Sequence, residues 1–295
     1  MASLKRILIS GGTHGNELTG VQLVRNWLRN STPILRQTLD VQLLLANPEA
    51  IRLGRRYVDF DLNRAFAPDL LDIAHPTRFL DVQRAREINR IHGPKGTAAA
   101  PDLVIDLHNS TANMGVSLII NQPNSLLQRI SAILAQEFPE VRLFYQPEPL
   151  DRLPYLCSIA TSDLTIEAGP QAHSTLKASL LLQVQRVVLR LLDLLDIANQ
   201  GQLDLTPCPS AVYTEIGQLD YPRDEEGLPS AMVHPKLEGR DFEPLVPGEP
   251  VFLAHSGADL FWTDSRTVWP CFIGEAAYQE KHIAMTLLHR SEEQW

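Results

Sequence analysis

The first 200 residues alternate short apolar runs with longer segments of helical periodicity, and this alternation constrains the fold more than any other feature. The apolar runs cover residues 5–10, 41–46, 102–107, 116–121, 141–145 and 164–168. The helical segments cover residues 16–28, 77–91, 125–138 and 175–198. Short runs that are apolar along their length are typical of buried strands, and strands that alternate with helices build a parallel or mixed sheet. We therefore predict an α/β fold.

The pattern changes near residue 200, where prolines begin to recur between short β-rich pieces such as VFLAHS and TVWPCFIG. We predict two domains, a catalytic α/β domain over residues 1–203 and a smaller β-rich domain over residues 204–295. A chain of 295 residues is long enough for both. The most apolar helical segment, residues 176–197, is interrupted by charged side chains. It is expected to be a helix of the fold and not a membrane span.

Charge and cysteine content narrow the partners and the compartment. The formal net charge is −9, which argues against a nucleic-acid surface, and we expect neither nucleic acid nor a membrane as a partner. The three cysteines are far apart and form no CxxC pair, and the first apolar run is too short for a signal peptide. A reducing, cytoplasmic location is predicted. An acidic protein needs a local arginine cluster if its substrate is anionic.

A candidate metal site begins in the segment GGTHGNE, directly after the first predicted strand. His14 and Glu17 are three residues apart, so both side chains can point to one place where a loop enters a helix. Two histidines and a glutamate with an open position form a known hydrolytic zinc site. His108 is the best third ligand, because it ends the predicted strand in DLVIDLH and α/β sheets place their sites at strand carboxyl ends. We predict one Zn²⁺ per chain.

Each part of this site has a simpler interpretation when it is taken alone. An H-x-x-E spacing often arises by chance, and a histidine at a strand end is more often a satisfied polar residue than a ligand. The combination is stronger, since both parts follow a buried strand at a sharp turn. Asp106 lies on the same strand face as His108. It is either the carboxylate that orients this histidine or an ordinary acid at a strand end.

Glu167 introduces a charge into the otherwise apolar segment LTIEAGPQ. Such a burial costs free energy unless the charge is paired or used. At the carboxyl end of a strand, Glu167 could take a proton from a water that zinc activates and pass it to a leaving amine. A structural salt bridge explains the residue equally well, so its position alone leaves both alternatives open.

The loop RRYVDFDLNRAF supplies the local positive charge that an anionic substrate needs. Its polar residues are Arg55, Arg56, Asp59, Asp61, Asn63 and Arg64. Arginine can hold a carboxylate with two parallel hydrogen bonds, and Asn63 can add a donor. A solvated loop with surface ion pairs is the competing interpretation, and the loop taken alone favours it.

Seven segments spread along the chain carry a resemblance to one family. They are GGTHGNE, NPEAIRLGRRYVDFDLNRAF, DLHNSTANMG, IEAGPQ, DYPRDEEG, HPKLEGRDFEPLVPGEPVFL and GEAAYQEK. Through them the chain resembles the aspartoacylases of the succinylglutamate desuccinylase/aspartoacylase group, which is related to zinc carboxypeptidases. The resemblance implies a carboxypeptidase-like α/β/α domain with a mixed central sheet, a smaller C-terminal β-rich domain, and a homo-oligomer, often a dimer.

The resemblance also implies roles for individual residues. His14, Glu17 and His108 correspond to the zinc ligands, and Glu167 to the general base and acid. Arg56 corresponds to the arginine that polarises the scissile carbonyl. Asn63, Arg64 and Tyr278 correspond to groups that bind the substrate carboxylate. The implied reaction is the hydrolysis of an N-acyl-L-aspartate to a carboxylate and L-aspartate.

One position departs from the family pattern. Cys157 stands ten residues before Glu167, where animal aspartoacylases have an arginine for the aspartyl side chain. Arg152 could replace that arginine from another turn of the loop. Otherwise the substrate is another N-acyl amino acid, such as an aromatic or mercapturate-type one. A third interpretation, a zinc-binding protein without activity, is disfavoured by the presence of both Glu167 and Arg56.

Overall fold

The computed structural model describes residues 3–295 and contains the predicted α/β fold. Six helices are present in this part of the chain: α1 (Leu18–Arg29), α2 (Pro48–Leu53), α3 (Pro68–Leu71), α4 (Leu80–His92), α5 (Ser125–Glu137) and α6 (Ala178–Asn199). The first six strands are β1 (Arg6–Gly11), β2 (Asp40–Leu45), β3 (Leu103–Asn109), β4 (Gly115–Ile120), β5 (Val141–Tyr145) and β6 (Ser162–Gly169). The C-terminal strands are β7 (Pro209–Leu219), β8 (Ala231–Val233), β9 (Pro250–Ala254), β10 (Asp259–Phe261), β11 (Trp269–Cys271) and β12 (Met285–Gln294).

Nine strands form one mixed sheet in the order β11-β12-β7-β5-β4-β6-β3-β1-β2. Strands β2, β1, β3 and β6 are parallel to one another, and β4, β5 and β7 form a second parallel group. The two groups meet where β4 runs antiparallel to β6. Strands β8, β9 and β10 form a separate antiparallel sheet. The C-terminal region therefore extends the central sheet and also contains a smaller sheet of its own.

The alternation of side chains along β3 and β6 separates the core from the functional face of the sheet. Leu103, Ile105 and Leu107 point into the core that helices α1, α5 and α6 cover. Val104 points to the opposite side, where α4 packs. Because side chains alternate with a period of two, Asp106 and His108 share the side of Val104. The polar residues of these strands thus face away from the largest core.

The structure confirms the predicted strands and long helices of the first 200 residues, with shifts at their ends. The helix predicted to begin at residue 77 begins at Leu80, because the Asp59 carboxylate accepts hydrogen bonds from the backbone N–H groups of Leu80 and Asp81. The predicted loop RRYVDFDLNRAF contains a 3₁₀ helix, Leu62–Arg64. Within residues 3–295, no helix is long and apolar enough to cross a membrane.

Candidate active site

Glycine determines how the GGTHGNE loop leaves β1. Gly12 has a φ of +75°, a conformation that L side chains rarely adopt. A Cβ on Gly15 would lie 2.2 Å from the Ala50 carbonyl carbon, so only glycine allows the loop to approach α2 this closely. The loop then delivers His14 and Glu17 immediately before α1, and both side chains are buried.

Strand register brings the third predicted ligand to the same place. His108 on β3 is directly opposite Glu167 on the neighbouring β6. Glu167 is in turn opposite Ser117 on β4, at the boundary between the two parallel groups of strands. His108 and Glu167 therefore lie side by side at the carboxyl ends of parallel strands, which is the edge where α/β sheets place their sites.

His14, Glu17 and His108 converge on one point. The Nδ1 atom of His14 lies 2.7 Å from Oε1 of Glu17, and Nδ1 of His108 lies 2.9 Å from Oε2. The two Nδ1 atoms are 3.2 Å apart. Ligands at ~2.0–2.1 Å in a tetrahedral zinc site are separated by about 3.3 Å, so the spacing and the chemistry of these donors fit a metal ion. Among residues 3–295 this is the cluster suited to hold one.

The remaining ring nitrogens of both histidines contact carboxylates. His108 Nε2 lies 2.8 Å from Asp106, and His14 Nε2 lies 3.0 Å from Asp61. Thr13 donates to the second oxygen of Asp106 at 2.8 Å. Carboxylates in this position fix the tautomer and orientation of a ligating imidazole and increase its basicity. Of the two alternatives for Asp106, the structure thus shows the contact with His108.

Glu17 also connects the cluster to Arg56, whose Nη1 donates to its Oε1 at 3.0 Å. Burial alone would raise the pKa of Glu17, but the two histidines outweigh burial and hold that pKa well below its usual range. Arg56 is half-buried, and its Nε has no hydrogen-bond partner among the described residues. This N–H group is a donor that a substrate oxygen could satisfy.

Glu167 is half-buried, and although its backbone pairs with β3 and β4, its carboxyl makes no hydrogen bond or ion pair with the described residues. Burial raises its pKa well above the usual range, and the nearby charges of Glu17 and Glu275 add to this shift. The salt bridge that was the structural alternative for Glu167 is thus not formed in residues 3–295. A carboxyl group with a raised pKa can both accept and return a proton near neutral pH.

The three residues predicted to hold a carboxylate come from two elements. Asn63 and Arg64 lie in the 3₁₀ helix Leu62–Arg64, and Tyr278 lies in a second 3₁₀ helix, Ala276–Lys281. The Asn63 Oδ1 atom accepts from the backbone N–H of Leu156, which leaves its amide nitrogen free to donate. Arg64 lies over the ring of Tyr155, with 4.7 Å between Cζ and the ring centroid.

A buried carboxylate holds the arginine loop in shape. Asp81 at the start of α4 accepts from the backbone N–H groups of Val58, Asp59 and Phe60, at 2.8–3.0 Å. The Asn47 side chain donates to its other oxygen. These contacts anchor the segment that presents Arg56 on one side and Asn63 on the other. The loop is therefore held by buried hydrogen bonds and is not the solvated loop that its composition alone favours.

All eight predicted residues line one cleft. They are His14, Glu17, Arg56, Asn63, Arg64, His108, Glu167 and Tyr278. Cys157 is buried in the core under the cleft, and Arg152 is exposed. Neither residue lines the cleft, so Arg152 does not occupy the place of the missing arginine.

Sequence reasoning missed two residues of the site. The sequence predicts no more for Asp61 than a polar place in the loop, although its carboxylate contacts His14. Lys281 lines the cleft, and its Nζ lies 3.9 Å from Asp61 Oδ2 without a hydrogen-bond partner in the described chain. Burial and the neighbouring Arg64 lower the pKa of Lys281 to about 8. Its place in GEAAYQEK, three residues after Tyr278, is the only signal that the sequence offers.

The fold and the cleft define an α/β enzyme with a candidate metal centre at the carboxyl edge of its sheet. Residues 3–195 match the succinylglutamate desuccinylase/aspartoacylase catalytic domain, and residues 208–290 match the AstE/AspA barrel-sandwich hybrid domain. The chain therefore belongs to the succinylglutamate desuccinylase/aspartoacylase family, as its motifs predicted, and it is an amidohydrolase.

Relatives and a solved structure agree with this assignment. The chain is 41% identical to the mouse N-acyl-aromatic-L-amino acid amidohydrolase (carboxylate-forming), over 95% of this chain and 89% of that protein. It is 40% identical to mouse aspartoacylase, over 95% and 91% of the two chains. The crystal structure of murine aminoacylase 3 superposes with a TM-score of 0.95 at 38% identity, covering 99% of this chain and 97% of that one.

Proposed function

We propose that the protein is a zinc-dependent amidohydrolase that cleaves an N-acyl-L-amino acid into a carboxylate and a free amino acid. The observation that carries this proposal is the convergence of His14, Glu17 and His108 beside the unpaired carboxyl of Glu167. Bound there, zinc would supply a Lewis acid and lower the pKa of a coordinated water to about 7.

The residues of the chain would do the rest of the chemistry. Glu167 takes the proton of the attacking water and returns it to the leaving amine, for which its raised pKa suits it. Arg56 directs N–H groups at the oxygen on which charge develops, a contribution that is usually large because the donors are already in place. Asn63, Arg64 and Tyr278 hold the α-carboxylate and fix the orientation of the amide.

Two substrate series compete for this site. The prediction from the sequence is an N-acyl-L-aspartate, and it remains a prediction. The lining favours a second series, N-acyl amino acids with a neutral side chain. We call Asn63, Arg64 and Tyr278 the α-carboxylate clamp. The cations of the cleft lie together near Asp61 and this clamp, and they are Arg56, Arg64 and Lys281. Cys157 supplies no charge for a second carboxylate. The two relatives named above represent one series each, since one is named for aromatic substrates and the other for aspartate.

Hydrolysis of a small panel tests the proposal. N-acetyl-L-aspartate and N-acetylated neutral amino acids are incubated with the zinc-loaded protein, and the released amine is measured. We expect hydrolysis of at least one series and its loss after chelation, with recovery on adding zinc. A zinc-binding protein without activity, the third interpretation, predicts bound metal and no release from any substrate.

Three further predictions from the sequence remain open. The homo-oligomer and the cytoplasmic location stay predictions, and sedimentation of the purified protein would test the first. The boundary between residues 203 and 204 also stays a prediction. It falls between the two matched family domains, while β7, beyond it, pairs with β5 in the central sheet.

A further inference from the structure

The end of the cleft away from the metal cluster contains a buried acceptor without a donor. Asn121 follows β4 and is 2% exposed. Its Nδ2 donates to Asp163 Oδ2 at 2.6 Å, and its backbone N–H donates to the same oxygen at 2.9 Å. Since the amide nitrogen must face the carboxylate, Oδ1 is fixed on the other side. This Oδ1 atom has no hydrogen-bond partner within residues 3–295. Buried acceptors of this kind are rare in native proteins and call for a partner.

The carboxyl group of Glu215 lies in the same part of the cleft. Gln146 Nε2 donates to Oε2 of Glu215 at 2.7 Å, and Gln218 Nε2 lies 3.3 Å from Oε1. A carboxylate can accept about four hydrogen bonds, so this group retains free acceptor positions. Burial raises the pKa of Glu215. A second carboxylate brought to this place would be repelled or would have to bind a proton.

Sheet register aligns these groups in one row. Ile120 is opposite Tyr145, and Tyr145 is opposite Thr214. The next residues on the three strands are Asn121, Gln146 and Glu215, and all three line the cleft. We call them the acceptor row. Asp163, which Asn121 contacts, is four residues before Glu167 on β6, so the row lies about 13 Å from Glu167 at ~3.3 Å per residue.

The residues proposed to hold the substrate carboxylate share the cleft with this row. Arg64 lies over Tyr155, and Tyr155 and Glu215 both line the cleft. Burial chiefly raises the pKa of Tyr155, and the charge of Glu215 adds to the shift. With its α-carboxylate on the clamp, the substrate can extend its side chain past Tyr155 towards the row.

We propose that the acceptor row is the side-chain subsite and that it selects N-acyl amino acids whose long side chain ends in an N–H or O–H donor. This inference rests on the proposed amidohydrolase function and names its substrate class. The free positions of Asn121 Oδ1 and of the Glu215 carboxyl would accept that donor. An acidic side chain would place like charges together, and an apolar one would leave Asn121 Oδ1 unpaired.

The test compares N-acetyl-L-tyrosine with N-acetyl-L-phenylalanine, which differ by one hydroxyl donor. We expect kcat/KM to favour tyrosine roughly tenfold to a hundredfold, the range of a hydrogen bond to a charged group. Glu215→Met should reduce this ratio at least severalfold. Gln146→Met removes the donor that orients Glu215 and should reduce the ratio less. If Glu215→Met does not fold, Gln146→Met is used in its place. Glu226→Gln, at an exposed acid outside the cleft, is the matched control and should keep the ratio.

Four results would overturn the subsite. The first is a tyrosine-to-phenylalanine ratio near one in the wild-type protein, and the second is a ratio that Glu215→Met leaves unchanged. The third is that Glu215→Met changes the preference among acyl chains of different length on one amino acid. That result would assign the row to the acyl group. Hydrolysis of N-acetyl-L-aspartate alone would also overturn the subsite but leave the amidohydrolase standing. Only the absence of hydrolysis of every substrate would contradict both.

Discussion

The predicted metal ligands and the acceptor row, at the two ends of the cleft, satisfy their polar groups in opposite ways. At the metal end, both histidines contact carboxylates through each ring nitrogen, and Glu17 accepts from Arg56 and from the Asn109 backbone. At the other end, Asn121 Oδ1 has no partner in the described chain. The first arrangement fixes geometry before any substrate arrives. The second leaves an unfavourable free energy of burial that a substrate can remove, because a buried acceptor without a partner gains most from a new donor.

This difference separates the chemistry of the site from its selectivity. A change at the metal end should affect every substrate by a similar factor, because all substrates share the amide and the α-carboxylate. A change at the acceptor row should alter the ratio between substrates. The contrast fails if changes at the two ends have the same effect on the ratio between substrates.

Glu167→Gln should produce the largest effect. It keeps the size of the side chain and removes the group that moves protons, so kcat should fall by about 10³, within the range of general acid–base catalysis. The factor should be the same for tyrosine and phenylalanine substrates, and zinc should still bind. Steady-state kinetics and metal analysis check this outcome, with Glu226→Gln as the control. Activity within threefold of wild type would remove Glu167 from the mechanism.

Asp106→Asn should have the next largest effect, on metal affinity. It replaces the carboxylate that contacts His108 Nε2 while keeping the shape of the side chain. Loss of such an outer carboxylate typically weakens zinc binding by about 10- to 100-fold. Competition with a zinc chelator measures the change, and excess zinc should restore much of the activity. Unchanged zinc affinity would show that Asp106 is an ordinary acid at a strand end and does not support the metal site.

Lys281 should give the smallest effect, seen as a pH dependence. Its pKa is about 8, lowered by burial and Arg64, while Asp61 and Glu280 oppose the shift. Below this pH the ammonium attracts the substrate carboxylate, and above it the neutral amine does not. We therefore expect kcat/KM to fall by roughly threefold to tenfold as the pH rises through about 8.

Lys281→Met is the variant that checks this assignment. It should already have the lower kcat/KM at pH 7 and should lose the fall near pH 8. The effect should be common to all substrates, because the lysine lies near the shared carboxylate. A wild-type profile that stays flat from pH 7 to 9, or a fall that persists in Lys281→Met, would contradict the role of this residue.

Much of the metal end was predictable from the sequence, because each part has a local signal. His14 and Glu17 share one short motif, His108 ends an apolar run, and Glu167 interrupts one. The central strands could be predicted for the same reason, since buried strands are apolar along their length.

The acceptor row could not be predicted, because it depends on register between distant strands. Asn121, Gln146 and Glu215 share no motif, and they meet only because β5 pairs with β4 on one side and with β7, a strand of the C-terminal region, on the other. The contact of Asp61 with His14 joins residues 47 positions apart and has no local signal either. Spacing along the chain predicts which residues share a turn or a strand face, but not which strands become neighbours.

The central claim is that His14, Glu17 and His108 hold the ion on which activity depends. The most direct measurement titrates zinc into metal-free protein while bound zinc and hydrolysis of an N-acetyl amino acid are followed together. We predict that activity rises in proportion to bound zinc and saturates at one ion per chain, and that His108→Ala neither binds zinc tightly nor becomes active. Full activity in the metal-free protein, or zinc binding that His108→Ala leaves intact, would contradict the account.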